Sequence, residues 1–178
     1  MSTNSTWSRK LLELDAVYSH RLRVDDRHKS IRTLAVFFAH SGDSWFWLLG
    51  LGLLWFFGSE PWKTIALTMA IGIVLTASIV FVLKFTIRRP RPAGEWGAIY
   101  RKTDPHSFPS GHAARAVMLA VVAIGLGPTW FGIVMLIWAF LVILARVAMG
   151  VHYLSDVTAG AFLGVGTGAL SLYLYSIF

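Results

Sequence analysis

The feature that most constrains this chain is a series of apolar blocks, each close to bilayer length and almost free of charge. Between about Trp62 and Leu83 the only charged side chain is Lys63, and from Val157 to Phe178 there is none. A helix needs roughly 20 such residues to cross the hydrocarbon layer. The apolar residues come in blocks rather than stripes, and 56% hydrophobic with 14% charged content excludes a soluble domain of 178 residues. The expected fold class is all-α: a multi-pass transmembrane helix bundle of about five spans plus an N-terminal interfacial helix. The spans fall at about Trp45 to Gly58, Trp62 to Leu83, His112 to Leu126, Trp130 to Ala145 and Val157 to Phe178. In the last, Gly160, Gly164, Gly166 and Gly168 have the spacing that lets helices approach closely.

Residues 1–33 read as an amphipathic arm and residues 34–178 as the membrane-embedded domain. From Trp7 to Arg32 basic and acidic residues alternate, while Leu11, Leu14, Val17, Tyr18 and Leu22 recur near helical spacing. That pattern suits a helix lying on the membrane surface. No apolar core follows promptly on a basic start, which argues against a cleavable signal peptide. The first span is the least regular. Leu34 to Ala39 is apolar, His40-Ser-Gly-Asp-Ser44 interrupts it, and Trp45 to Gly58 resumes, so an interfacial helix and then a short or tilted span are expected. Trp45, Trp47 and Trp55 belong near the interfaces. Asp43 and His40 could line the site, but Asp43 reads better as a helix cap and His40 as a surface residue. The formal charge of +7 suits anionic lipid heads or an anionic substrate, with no nucleic-acid partner expected. The absence of cysteine removes disulfides and thiolate metal sites.

Polar side chains gather where the apolar blocks end. The second block ends in Lys84-Phe-Thr-Ile-Arg88-Arg89-Pro90-Arg91-Pro92, where paired prolines stop a helix and hold Arg89 and Arg91 in extended backbone. A polar, aromatic loop then leads to His106-Ser-Phe-Pro-Ser-Gly-His112, where Pro109 suits the first positions of a helix. Ser110 and Gly111 there leave outward N–H groups, an anion site. The fourth block ends at Arg146, and His152 and Asp156 follow, four residues apart as on one helix face. If each block crosses once, alternation brings all three clusters to one membrane face. Cations flanking spans commonly serve only as topology signals. The paired prolines fix arginine geometry that a topology signal would not need.

Lys84 followed after six residues by Arg91-Pro92, then Pro109-Ser110-Gly111-His112, then Arg146 followed by His152 and Asp156, resembles the three-part signature of the type 2 phosphatidic acid phosphatase superfamily. That family contains membrane lipid phosphate phosphatases and soluble relatives, including acid phosphatases and vanadium haloperoxidases. The resemblance covers residues 45–175, with one departure: Ala145 precedes Arg146 where the motif usually has Ser. It implies His152 as the nucleophile, Asp156 as the support of its other ring nitrogen, and His112 as the acid for the leaving oxygen. It also implies Lys84, Arg91 and Arg146, with the N–H groups of Ser110 and Gly111, as the phosphate clamp. An imidazole oriented by a carboxylate is a competent nucleophile toward phosphorus. Three cations supply charge that metals supply in many phosphoryl-transfer sites, so neither metal nor cofactor is expected. Arg88, Trp96, Tyr100 and Arg101 are candidates for contact with a substrate head group.

The expected function is an integral-membrane lipid phosphate phosphatase acting on phosphatidate, phosphatidylglycerol phosphate, undecaprenyl diphosphate or a similar lipid. Its partners are then that substrate and the membrane lipids. Two other classes stand beside it. A non-catalytic lipid-binding or transport protein would carry the site as a relic, against which intact His112, His152 and Asp156 argue. A vanadate-dependent, haloperoxidase-like oxidoreductase would be larger and soluble, and a peroxidase assay with vanadate distinguishes it. Of the 16 Lys and Arg residues only Lys63 falls opposite the motifs, which by the positive-inside rule turns the site to the cytoplasm.

Overall fold

A computed structural model of the protein describes residues 4–25, 27–93 and 104–177. Two helices form the N-terminal region, α1 (Asn4–Arg21) and α2 (Lys29–Ser41). Five more follow: α3 (Ser44–Phe57), α4 (Glu60–Ile87), α5 (Gly111–Leu126), α6 (Thr129–Ala148) and α7 (Leu154–Ile177). The described residues contain no strand beyond one isolated bridge between Pro90 and His106. The single arm helix expected up to Arg32 is broken after Arg21, and the division at residues 33/34 falls inside α2.

Local chemistry accounts for the helix ends. Pro61 sits in the first turn of α4, where a missing N–H costs nothing, and Pro90 and Pro92 prevent the helix from continuing past Ile87. Arg88 closes it in the left-handed region at φ 53°. Gly127-Pro128 separates α5 from α6. α4, α6 and α7 are long and apolar enough to cross a membrane, whereas α3 and α5 are apolar but shorter.

α5 is the central staff of the bundle, packed against α4, α6 and α7. Ala113, Ala114, Ala116, Ala120 and Ala123 let its neighbours come close, and Met118, Leu119 and Val122 fill the core with Met69, Ile73, Met135 and Val142. The tightest contact is with α7. A Cβ on Gly160 would sit 2.5 Å from the Ser110 carbonyl oxygen, and one on Gly164 would overlap the Ala114 carbonyl. Thr76 of α4 donates to Thr167 of α7 at 2.9 Å, a polar tie between apolar helices. Outward, the bundle shows Phe56, Phe57, Phe81, Phe140 and Phe162, all exposed. A surface so apolar is a lipid-facing surface. The protein is a membrane protein whose chain leaves α4 and α6, and enters α5 and α7, at one end of the bundle.

Candidate active site

At that end the extended segment after α4 pairs with the segment before α5. Ser107 N–H donates to the Arg89 carbonyl at 2.8 Å, and Ser107 Oγ donates to the Pro90 carbonyl at 3.2 Å. This short pairing aims Arg91 inward, where its side chain is only 1% exposed. Its Nε and Nη2 donate to the Asp104 carbonyl and carboxylate, both at 2.7 Å. Its Nη1 reaches the Val151 carbonyl at 3.0 Å and lies 3.3 Å from His152 Nε2. Lys84, on the last turn of α4 and buried, pairs with the same Asp104 carboxylate. Lys84 and Arg91 therefore converge on one acidic group.

The turn from α6 into α7 carries the second half. Gly150 takes φ 65°, where a side chain would be strained and would strike the Arg23 guanidinium. The turn delivers His152, 1% exposed, with Nδ1 3.5 Å from Asp156 Oδ2. Asp156 is fully buried, accepts from Tyr153 N–H at 2.9 Å, and binds Arg89 Nη1 at 2.8 Å. Arg146, also fully buried, donates to the Ala39 carbonyl at 3.3 Å. Burial pushes the His152 imidazole well below its ordinary value, and the charges of Arg146, Arg91 and Lys84 push the same way, against a weaker opposing bond with the Ser107 backbone. A neutral ring results, with one nitrogen toward Arg91 and the other toward Asp156.

The start of α5 departs from the sequence expectation. Pro109 lies before the helix, and Ser110 is the N-cap, its Oγ 3.5 Å from Ala113 N. The Ser110 N–H does not face outward: it donates to the Asp156 carbonyl at 2.9 Å, because the glycine-lined contact draws α7 against this turn. The Ser110 N–H is therefore taken and not open to an anion, a correction to the sequence expectation, whereas the Gly111 and His112 N–H groups lie in the first turn, which has no intrahelical acceptor for them.

His112 projects from this first turn, and its Nε2 lies 2.7 Å from Asp43 Oδ1. Asp43 occupies the N-cap position of α3 but makes no side-chain cap bond, so its reading as a helix cap gives way to a pairing with His112. The bond from His112 holds the Asp43 carboxyl below its ordinary range although partial burial pushes it up. Arg115 fixes the Asp43 link, donating through Nε and Nη2 to the Gly42 carbonyl at 2.9 and 2.7 Å. His40 Nδ1 stands 3.6 Å from the other Asp43 oxygen, closer to the site than a surface position implies.

A cavity of about 290 Å³ is bordered by Lys84, Asp104, Gly111, His112 and Arg115. A second, apolar cavity of about 610 Å³ begins beside His40 and Ser41 and follows α3 from Phe46 to Leu54, ending against Trp62 and Phe131. The structure thus gathers Lys84, Arg91, Arg146, His152 and Asp156 at one end of the bundle, with His112 opening on the smaller cavity. Arg88 is apart from them, exposed and donating to the Phe85 carbonyl at 2.8 Å. Trp96, Tyr100 and Arg101 lie outside the described residues. Asp15, Asp43, Arg89, Asp104 and Arg115 were not assigned to the site from sequence. From sequence Asp43 alone reads as a residue that could line it; for Arg89, Asp104 and Arg115 the signal is proximity to a motif, and for Asp15 there is none.

The family model described as PAP2 superfamily matches residues 64–177. The chain is similar to the undecaprenyl-diphosphatase of Sulfolobus acidocaldarius, 31% identical over 150 residues, spanning 83% of this chain and 72% of that protein. Among solved structures it resembles Aquifex aeolicus LpxE, with a TM-score of 0.68 and 29% identity over 91% of this chain and 94% of that one. It also shares its fold with the first transmembrane PAP2 type phosphatidylglycerolphosphate phosphatase from Bacillus subtilis, at a TM-score of 0.75 and 23% identity, covering 95% and 88% of the two chains.

Proposed function

The chain belongs to the PAP2 superfamily, among its membrane lipid phosphatases, and from that premise we propose that it removes phosphate from a lipid phosphomonoester or diphosphate through a phosphohistidine. The observation that carries this reading is the His152 ring, buried between Arg91 on one nitrogen and Asp156 on the other. Substrate phosphate displaces the Asp104 carboxylate from Lys84 and Arg91, so that one anion replaces another on the same cations. His152 Nε2 attacks phosphorus in line, the bond to the lipid oxygen breaks, and its electron pair leaves with that oxygen. His112 supplies the proton that makes the departing group an alcohol or, from a diphosphate, a monophosphate. Asp43 supports the charged form of His112 before that transfer, and the Asp156 carboxylate, 3.5 Å from Nδ1 of His152, stabilises the positive charge that develops on the ring. Water then attacks the phosphohistidine while His112 takes its proton, and inorganic phosphate and free His152 result.

The lipid tail has a route in the apolar cavity beside α3, which begins at His40, next to Asp43. The cationic end of the bundle faces the cytoplasm on this reading, since among the described residues Lys63 is the lone Lys or Arg of the opposite end. The chain has no native cysteine, so single cysteines placed at exposed Ser59 and Arg88 report the two sides by labelling with an impermeant maleimide.

The test of function is phosphate release by purified protein from a panel of lipid phosphates and diphosphates, with and without chelator, together with alkaline-detergent-quench trapping of enzyme labelled from a radiolabelled phosphate ester. Turnover that survives chelator, is inhibited by vanadate and passes through an acid-labile, alkali-stable phosphoenzyme is expected. His152→Ala should abolish both label and turnover. Parental rates from His152→Ala would remove the nucleophile assignment.

A further inference from the structure

Helix α1 is not merely laid on the membrane surface; it reaches the catalytic floor. The Asp15 carboxylate accepts from Ser155 N–H at 3.1 Å and Ser155 Oγ at 2.5 Å, and from Arg89 Nη2 at 2.7 Å. One turn further, Ser19 Oγ accepts from Leu154 N–H at 2.8 Å. The arm thus caps the start of α7 from outside, with two side chains taking helix-start N–H groups. Beyond it Arg23 Nη1 donates to the Ala93 carbonyl at 2.7 Å, and Val24 N–H donates to the Ala148 carbonyl at 2.9 Å. These contacts strap together the segments that carry Arg91, His152 and Asp156.

Arg89 is the link inside this strap. One guanidinium nitrogen binds Asp156 Oδ1 at 2.8 Å and Ser155 Oγ at 2.6 Å, the other binds Asp15, and the plane lies 4.1 Å above the Tyr153 ring. The side chains of Arg89, Asp15 and Asp156 are 14%, 13% and 0% exposed, so their charges are poorly screened. Two carboxylates and one guanidinium leave a net negative charge for His152. With Asp15 neutral, Arg89 would have Asp156 alone and would cancel the charge that supports the imidazole.

We infer that Asp15 is a positioning residue for the reaction: by sharing Arg89 it holds the Asp156 carboxylate toward His152 and leaves its negative charge uncancelled by the guanidinium. This rests on the reading of His152 as nucleophile. The reaction is thereby tied to the surface helix, whose Leu11, Leu14, Val17 and Tyr18 are exposed. The link runs through the charge of Asp15 and leaves the phosphate clamp unchanged.

The experiment is steady-state kinetics of full-length purified protein on one soluble short-chain lipid phosphate, comparing parent, Asp15→Asn, Asp15→Glu, Ser19→Ala and His152→Ala. Asp15→Asn keeps the acceptor for Ser155 but loses the charge. It should lower kcat about tenfold or more, as removal of carboxylates that orient functional histidines commonly does, with KM nearly unchanged. Asp15→Glu should recover part of kcat. Ser19→Ala removes the bond from Leu154 N–H and a 3.4 Å bond to Asp15 Oδ1 but leaves every charge in place, and should lower kcat less than Asp15→Asn does. Parental kcat in Asp15→Asn beside an inactive His152→Ala overturns the inference alone. So does a loss in Ser19→Ala equal to that in Asp15→Asn, since docking and not charge would then be the cause. An active His152→Ala would instead bring down the nucleophile assignment beneath it.

Discussion

Replacing Asp43 with Asn isolates the charge that faces His112. The carboxylate is 2.7 Å from Nε2 and 27% exposed, and Asn retains an acceptor oxygen at that distance, so ring geometry survives and only charge is lost. Arg146 and Arg115, both cationic, also face this imidazole, which makes Asp43 the group that offsets them when the ring is protonated. A hydrogen bond to a charged group is worth about 1.5–3 kcal/mol. At about 1.4 kcal/mol per decade that predicts a kcat lower by about 10- to 150-fold for a substrate that needs its leaving oxygen protonated. The assay compares kcat on a short-chain alkyl lipid phosphate with kcat on p-nitrophenyl phosphate, whose leaving group departs without a proton. The loss should fall on the alkyl ester and largely spare the aryl ester. Equal losses on both, or none on the alkyl ester, would refute a role for Asp43 through His112.

Three further outcomes follow from the same geometry. Arg146→Lys should lower kcat more than it raises KM, because charge remains while the planar fork of donors is lost, whereas Arg88→Lys, at an exposed position, should act mainly on KM. Because burial and cations depress the His152 value, the neutral nucleophile persists as pH falls below 6.5, so the acid limb of kcat/KM that reports the free nucleophile should lie below that value. The same shift makes His152 favour the folded state above the unfolded value near 6.5, a contribution lost as pH drops below it. Gly164→Ala should destabilise the protein by about 1–3 kcal/mol in thermal or denaturant unfolding, since its Cβ overlaps the Ala114 carbonyl.

The bundle was legible because membrane helices are written as uninterrupted apolar blocks, and the prolines at 61, 90, 92 and 128 mark their ends. The motif residues were legible because Lys84, Arg91, Arg146, His152 and Asp156 stand at helix ends that alternation brings to one side. What surrounds them was not, since their partners lie far off in sequence. Asp43 precedes an apolar helix, and a local reading assigns it to capping; only packing of α5 beside it offers His112 as a stronger partner. Asp15 looks like one of several arm acids, and its meaning depends on Arg89 and Ser155, 74 and 140 residues away. Ser110 shows the converse, a local anion-site signal overridden because α7 supplies an acceptor for its N–H.

The bond from Ser110 N–H to the Asp156 carbonyl, beside a contact that leaves no room for a side chain at Gly160, welds the first turns of α5 and α7 into one block. His112 and Asp156 both ride on that block and keep their separation whatever the rest of the bundle does. The pieces outside it that border the two cavities include α3 and Asp104. Those pieces can be remodelled without disturbing the weld. In a family of this architecture, substrate preference can diverge by changing the entrance while the turnover chemistry keeps its register.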